Sequence, residues 1–302
     1  MKCNSILIGC IIFLLMVILL GCGRQKATAL VNTLTFNTGD FESLGLDYDA
    51  DDIRVLESDN DKVILKEYMN EDKKSYYARS SIHNGKLLIT EGHRPRRSSF
   101  VAYIEIYIPQ DYLGNLSLHS TSGTIISDIA LNLSGTFSVD TTSGVVEVSH
   151  TKAAKLIATS TNGSLNIDSI DADEVSIQTT NAKTSLKQIN GAMSYQSKGG
   201  VLIASDLSGS GSFNASGEGS INIAFVEVRA DISAYSKNGG VTVSLPNELT
   251  FSFSATTREG SIDTSFADQI TVIDNTATGI IGLSPVISIE LETRNGDIKV
   301  SR

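Results

Sequence analysis

The stretch Phe137–Val148, FSVDTTSGVVEV, alternates apolar and polar residues, stops at Thr142-Ser143-Gly144, and alternates again. A period of two marks a strand with one buried face, and a glycine between two such runs marks a change of direction. A hairpin that doubles back and the corner of a larger ring both fit this stretch. What recurs elsewhere in the chain separates them.

Aligned on Gly144, the same pattern places Gly123, Gly163, Ala182, Gly200, Gly219, Gly239, Gly260 and Gly296 at the corner, with successive gaps of 21, 19, 19, 18, 19, 20, 21 and 36 residues. Seven and five residues before the corner stand apolar pairs such as Leu116 and Leu118, Leu156 and Ala158, Val175 and Ile177, Ile289 and Leu291. Near Gly219 the pair slips by one, to Phe213 and Ala215. Two and four residues after the corner come Val146 and Val148, Leu165 and Ile167, Ile221 and Ile223, Ile298 and Val300. Three before it the residue is Ser or Thr in all nine units, Ser120 and Thr141 first and Thr293 last. Alternation turns that hydroxyl inward, where it needs a partner from a stacked hydroxyl or from corner backbone. A glycine corner suits a backbone with φ above zero.

Hairpins satisfy each unit with its neighbour and have no reason to hold one offset over nine units. A parallel β-helix demands it, because like side chains stack from coil to coil at about 4.8 Å. The expected fold is therefore all-β: a single-stranded parallel β-helix, or solenoid, of roughly 20-residue coils. The 36-residue gap has room for a degenerate coil around Gly279, with Ile281 and Leu283 after it, although TGIIGLSP, Thr278–Pro285, also reads as a loop. Before residue 110 the pattern loosens. LGLDYDADDIRV, Leu44–Val55, repeats the offsets around Asp51, and KVILKEY, KLLIT and AYIEIYIP read as widened opening turns of the same solenoid.

The chain has 302 residues, 24 Lys and Arg against 34 Asp and Glu, and a formal charge of −10, which argues against nucleic acid as a partner. Lys2 precedes an apolar run from Ile6 to Leu20 that is short for a membrane span and suited to a secretion signal. The run ends in Leu19-Leu20-Gly21-Cys22, which resembles the lipobox of bacterial lipoproteins. That resemblance implies cleavage before Cys22 and a lipid on its sulfur; an uncleaved signal anchor is the alternative. Cys3 and Cys10 fall in the part that would be removed, so a mature chain keeps Cys22 alone and no internal disulfide. The expected organisation is a signal peptide at 1–21, a tether at 22–31 and a solenoid at 32–302, irregular over 32–110 and regular over 111–302.

The lipobox, the irregular β-rich opening ending in Ile106-Tyr107-Ile108-Pro109, and repeats such as TTSGVVEV and TRNGDIKV together resemble the bacterial putative-adhesin family. The resemblance covers roughly residues 32–302. It implies a secreted or surface-anchored β-helix of undefined ligand and brings no catalytic residues.

Some parallel β-helices cleave polysaccharides, which needs convergent carboxylates on one outer face. Three residues after each corner, Glu147 and Asp263 lie far apart along the stack. Five after it, Asp128 and Asp168 lie two coils apart, about 10 Å, with Ser149 between. His83, His93, His119 and His150 share no offset and lie near no second ligand at metal spacing. Ser143-Gly144 lacks the flanking residues of a nucleophile elbow. One loop stands out, GHRPRRSSF, Gly92–Phe100, whose His93, Arg94, Arg96 and Arg97 form a candidate contact for an anionic headgroup or wall polymer. A solvated, disordered loop is the plainer alternative. The outward positions near the corners are rich in Ser, Thr, Asn and Gln, which suits glycan binding and equally keeps a solenoid soluble.

These residues together read as a non-catalytic, extracytoplasmic lipoprotein without cofactor or metal, held to the bacterial membrane through Cys22. It offers an extended surface for adhesion, binding or scaffolding toward an envelope protein or glycan. The alternatives are a wall-polymer binder or envelope-stress accessory protein and, in another class, a polysaccharide-active enzyme. The anchor is directly testable: labelled fatty acid is expected to enter the wild-type chain and not Cys22→Ala, and equal labelling of both would refute the lipoprotein assignment.

Overall fold

The computed structural model describes residues 28–266 and 268–302. Cys22, the signal segment 1–21 and most of the tether lie outside the described residues. The chain that follows is all-β, a parallel solenoid whose regular coils each make three sides. In the coil of Gly144 the strand Thr136–Thr141 forms the first side. Residues 142–144 turn the corner, and the strand Val145–Ser160 covers the second side, bends at His150 and continues into the next coil. The strands Ser164–Thr179, Lys183–Ser197, Leu202–Ala215 and Ile221–Ser236 repeat this course.

Like residues stack on like in parallel register: Val148 on Ile167 on Leu186, and Leu156 on Val175 on Met193. The interior columns are mainly apolar, with buried Ser127 and Thr184 as polar members beside the corner hydroxyls, and Leu116, Phe137, Leu156, Val175, Met193, Phe213 and Ile232 are all buried. Each such side chain contributes about 1.5–3 kcal/mol on leaving water, so the stacked columns are the main stabilising term.

The corner glycines are there for a different reason than expected. None has a positive φ; the described glycines that do are Gly85, Gly191, Gly209 and Gly282. What the corner requires is close approach between coils. A Cβ on Gly144 would stand 2.1 Å from the carbonyl oxygen of Gly123, and one on Gly163 would stand 1.9 Å from that of Gly144. The same contact carries Gly123 to Asp51, Gly200 to Ala182, Gly219 to Gly200, Gly239 to Gly219, Gly296 to Gly239 and Gly260 to Gly296, all within 2.3 Å. A Cβ at such a distance overlaps backbone, so at these eight corners glycine lets the coils close to hydrogen-bonding distance, whereas the corner at Ala182 closes with a Cβ in place.

The inward hydroxyls join these corners. The N–H groups of Gly123, Gly144, Gly163, Gly200, Gly239 and Gly260 donate to the Ser or Thr three residues earlier at 2.8–3.0 Å. Several of those hydroxyls in turn donate to the corner carbonyl of the coil beneath: Ser120 to Asp51 at 2.9 Å, Ser236 to Gly219 at 2.7 Å, Thr257 to Gly296 at 3.0 Å. At Ala182, the corner with a Cβ, Thr179 donates instead to Ser197 (2.9 Å). In the slipped coil of Gly219 the stacked position belongs to Ala215, between Ser197 and Ser236, rather than to Ser216. A second bend is invisible in the repeat: His150, Ser169, Gln188 and Asp206 hold φ of 54°, 55°, 52° and 56° in four successive coils.

Coil order departs from chain order at both ends. The coil around Asp51, Ser43–Tyr48 and Asp52–Glu57, forms early in the chain as expected, with Leu44 on Leu116 and Ile53 on Ile125. Its other side is covered by Lys86–Thr90 and Ala102–Ile108, so the later segment is the outer coil. At the opposite end the last strands, Ile287–Thr293 and Ile298–Ser301, insert between the coils of Gly239 and Gly260. The expected coil at Gly279 does not form. Thr276–Ile281 instead runs antiparallel between Phe251–Thr257 and Ile270–Ile273 as a cap, and Leu283 stands in solvent. KVILKEY is likewise a cap strand: Lys62–Met69 runs antiparallel to Ala102–Ile108 and to Ala29–Asn37. Such strands hide an apolar column that would otherwise end in water.

These contacts set an order of mutational cost. Gly163→Ala must push two coils apart and is expected to cost about 1–3 kcal/mol. Gln188→Gly relieves a left-handed side chain and should fall within about 1 kcal/mol of neutral. Thermal melts compare them; a Gly163→Ala melting point equal to wild type would contradict the close-approach account.

Candidate functional site

The basic loop folds back on its own chain. Arg94, on the outermost coil, enters a buried cluster with Asp51, the corner of the adjacent coil, and with Glu67 on the cap strand. Its guanidinium is 5% exposed, against 7% for the Asp51 side chain and 0% for Glu67, so no external anion reaches it. The Arg94 Nε also donates to the Tyr76 carbonyl at 3.1 Å, and the guanidinium lies over the Tyr48 ring at 5.2 Å. Glu67 accepts further bonds from the Asn32 amide at 2.6 Å and the Ala78 N–H at 2.8 Å.

Burial pushes the Glu67 carboxyl above its ordinary range, opposed by those two donors. Burial also lowers Arg94 to about 10, which leaves it charged at neutral pH. Arg96 pairs with Asp49 at 2.8 Å and Arg97 with Glu71, while His93 is exposed. The expected four-residue anion contact therefore corrects to an internal clamp in which Arg94 serves Asp51 and Glu67, while Arg96 and Arg97 line a cleft of about 550 Å³ and His93 stands apart from it. The loop was legible as unusual; its acidic partners, far off in sequence, were not.

A second surface is built by the repeat itself. Four residues before the corner, or five in the slipped coil of Gly219, the side chain points outward, and parallel register stacks Thr159, Gln178, Gln196 and Asn214 in one row. Beside it runs a row of hydroxyls, Ser176, Ser194, Ser212 and Ser233, with Ser233 donating to Ser212 at 3.0 Å. Together with Thr161, Thr180, Lys198 and Ser216 the first row lines a shallow groove of about 590 Å³ that holds no carboxylate. Hydroxyls and amides repeating at about 4.8 Å offer donors and acceptors to an extended neutral ligand. The sequence reading singled out no residue in this row, although the corner alignment that revealed the inward positions also defines it.

The dispersed acidic residues have local partners. Asp128 is hydrogen-bonded by Ser149 and His150, which hold its carboxyl below the usual range, opposite to the shift a general acid needs. Asp168 meets Lys187 at 3.8 Å and Ser169 at 2.9 Å. His119 bonds Asp140 at 2.6 Å across neighbouring coils. Among the described residues no three His, Cys, Asp or Glu side chains converge as a metal set.

The clamp makes its own prediction. Because Glu67 is raised in the fold, its protonation favours the fold; that contribution is complete below the unfolded pKa and fades as pH rises through the folded one. Arg94 opposes the loss. Arg94→Met leaves two buried carboxylates unpaired and should destabilise by about 3–5 kcal/mol at pH 7. The deficit should shrink near pH 4, as denaturant melts at both values would reveal; an equal loss at both would exclude the charge account.

A protein-family model described as Toastrack DUF4097 matches residues 41–301. No curated protein matches the chain. Among solved structures, a putative adhesin from Parabacteroides distasonis is 11% identical with a TM-score of 0.42, covering 89% of this chain and 96% of its own. A putative lipid binding protein from the same organism is 14% identical with a TM-score of 0.41, covering 90% and 96%. A putative adhesin from Bacteroides fragilis is 16% identical with a TM-score of 0.34, covering 92% and 100%.

Proposed function

We propose, from the premise that this chain belongs to the Toastrack DUF4097 family, that it is a non-catalytic envelope protein whose outer polar face binds an extended neutral glycan or wall polymer. The observation that carries this is the uncharged hydroxyl and amide ladder from Thr159 to Asn214, together with its open groove. A flat array of this kind makes many individually weak hydrogen bonds, each contributing about 0.5–1.5 kcal/mol, and suits a polymer that spans several coils. It supplies neither a raised-pKa acid nor a nucleophile with a base.

The anchoring belongs to the same proposal. Cys22 precedes the first described strand, Ala29–Asn37, which edges the N-terminal cap. A lipid on Cys22 would place that end at the membrane and leave the polar face free along the rod. No described helix is long and apolar enough to cross a membrane.

Binding of the purified chain to isolated cell-wall polysaccharide, compared with Gln178→Ala/Gln196→Ala, tests the face. Loss of two to four hydrogen bonds should weaken binding roughly tenfold without lowering the melting point. Undiminished binding by the double variant would move the site elsewhere, and release of new sugar ends from the polymer would overturn the non-catalytic assignment.

A further inference from the structure

The two ends of the solenoid differ. At the N-terminal end antiparallel strands cover both columns: Arg79–His83 lies on Lys86–Thr90, and Lys62–Met69 lies on Ala102–Ile108 and carries the bulged strand Ala29–Asn37, so that Arg79–His83 and Ala29–Asn37 each have one partner. These elements carry charge at Lys62, Lys66, Arg79 and Lys86, and the first described strand lies there. At the C-terminal end two strand edges are open among the described residues. Ile262–Thr264 pairs only with Ile298–Ser301, and Ile270–Ile273 pairs only with Thr276–Ile281.

This end is also apolar and nearly uncharged. Of the eleven exposed large hydrophobic side chains among the described residues, five lie within 272–286: Val272, Ile273, Ile280, Leu283 and Val286. Leu283 and Val286 are 92% and 93% exposed. From Gln269 to Ile289 the only charged residue is Asp274, in a chain of net charge −10. Open edges on soluble proteins are ordinarily guarded by lysine, proline or a bulge, and Ile270-Thr271-Val272-Ile273 has none of these. Exposed apolar surface concentrated in this way marks a contact site.

We propose that the C-terminal tip pairs with the tip of a second copy of this chain through the edge strand Ile270–Ile273. Charge favours this occupant: two chains of like charge meet most easily where each is uncharged. Composition favours it too, since antiparallel pairing about a two-fold axis at Val272 sets that exposed side chain opposite its own copy and Thr271 opposite Ile273, joining the two tips edge to edge. Placement favours it as well, because the first described strand, Ala29–Asn37, lies at the far end. The eleven stacked layers span about 50 Å at 4.8 Å per coil, so paired tips make a rod of roughly 100 Å. The pairing itself stands apart from the proposed function; only its consequence, two membrane anchors at opposite ends and hence bridging between surfaces, rests on the Cys22 proposal.

Light scattering on residues 28–302, which contain every strand described, measures the pairing across concentrations up to on the order of 100 µM, because so small a contact is expected to be weak. The expected result is a concentration-dependent doubling of mass that Ile273→Lys/Ile280→Lys abolishes with an unchanged melting point. A wild-type monomer throughout, or a dimer indifferent to these lysines, would overturn the proposal. So would a monomer that floats with phosphatidylcholine vesicles, which would assign the tip to a bilayer. Glycan binding by Gln178→Ala/Gln196→Ala is a separate measurement, so failure of the tip and failure of the polar face are told apart.

Discussion

The whole stack depends on backbone touching backbone at one corner. At every glycine corner from Gly123 to Gly260, the carbonyl of the adjacent coil occupies the space where a Cβ would be, Ala182 being the one corner residue of the nine repeats that carries one. That approach brings neighbouring strands within hydrogen-bonding reach, and the Ser or Thr three residues earlier fixes it by accepting from its own corner N–H. Because the contact is short and repeats, it locks register. A slip by one residue would turn Leu156 and Val175 to solvent and carry Gln178 into the core.

The ends solve a problem that the repeat creates. A column of apolar side chains cannot stop in water, and a strand edge invites another strand. Antiparallel cap strands answer this at the N-terminal end, and Arg94 ties the cap to the first corner through Asp51 and Glu67. That cluster gathers residues from three separate segments, so it forms only once those segments have docked. Inserting the last strands beneath the coil of Gly260 does comparable work at the other end, because that outer coil has no parallel partner until the chain terminus arrives.

Function follows from what the stack leaves outside. The period that buries Leu156 and Ala158 also aligns Thr159, Gln178, Gln196 and Asn214 at a regular pitch, so a polar binding surface is the outer image of the core. Where charges occur on the flanks they pair between coils, as in Lys155 with Glu174 at 2.8 Å and Lys152 with Asp171 at 3.4 Å. Exposed pairs of this kind add little stability, and they leave the groove itself without a carboxylate.

The repeat, the inward rows and the parallel stacking were all readable from the sequence, because periodicity is a local property that each coil states again. So was the coil at Asp51, whose offsets match those around Gly123. The sequence could not tell a glycine needed for positive φ from one needed for close approach, since both are written as glycine and only the neighbouring coil distinguishes them. The left-handed residues His150, Ser169, Gln188 and Asp206 share no side-chain chemistry, and so the second bend left no signature. Coil order at the ends, the pairing of Arg94 with residues 43 and 27 positions away, and the open C-terminal edges were decided by tertiary structure alone, because each depends on which distant segments come to lie side by side.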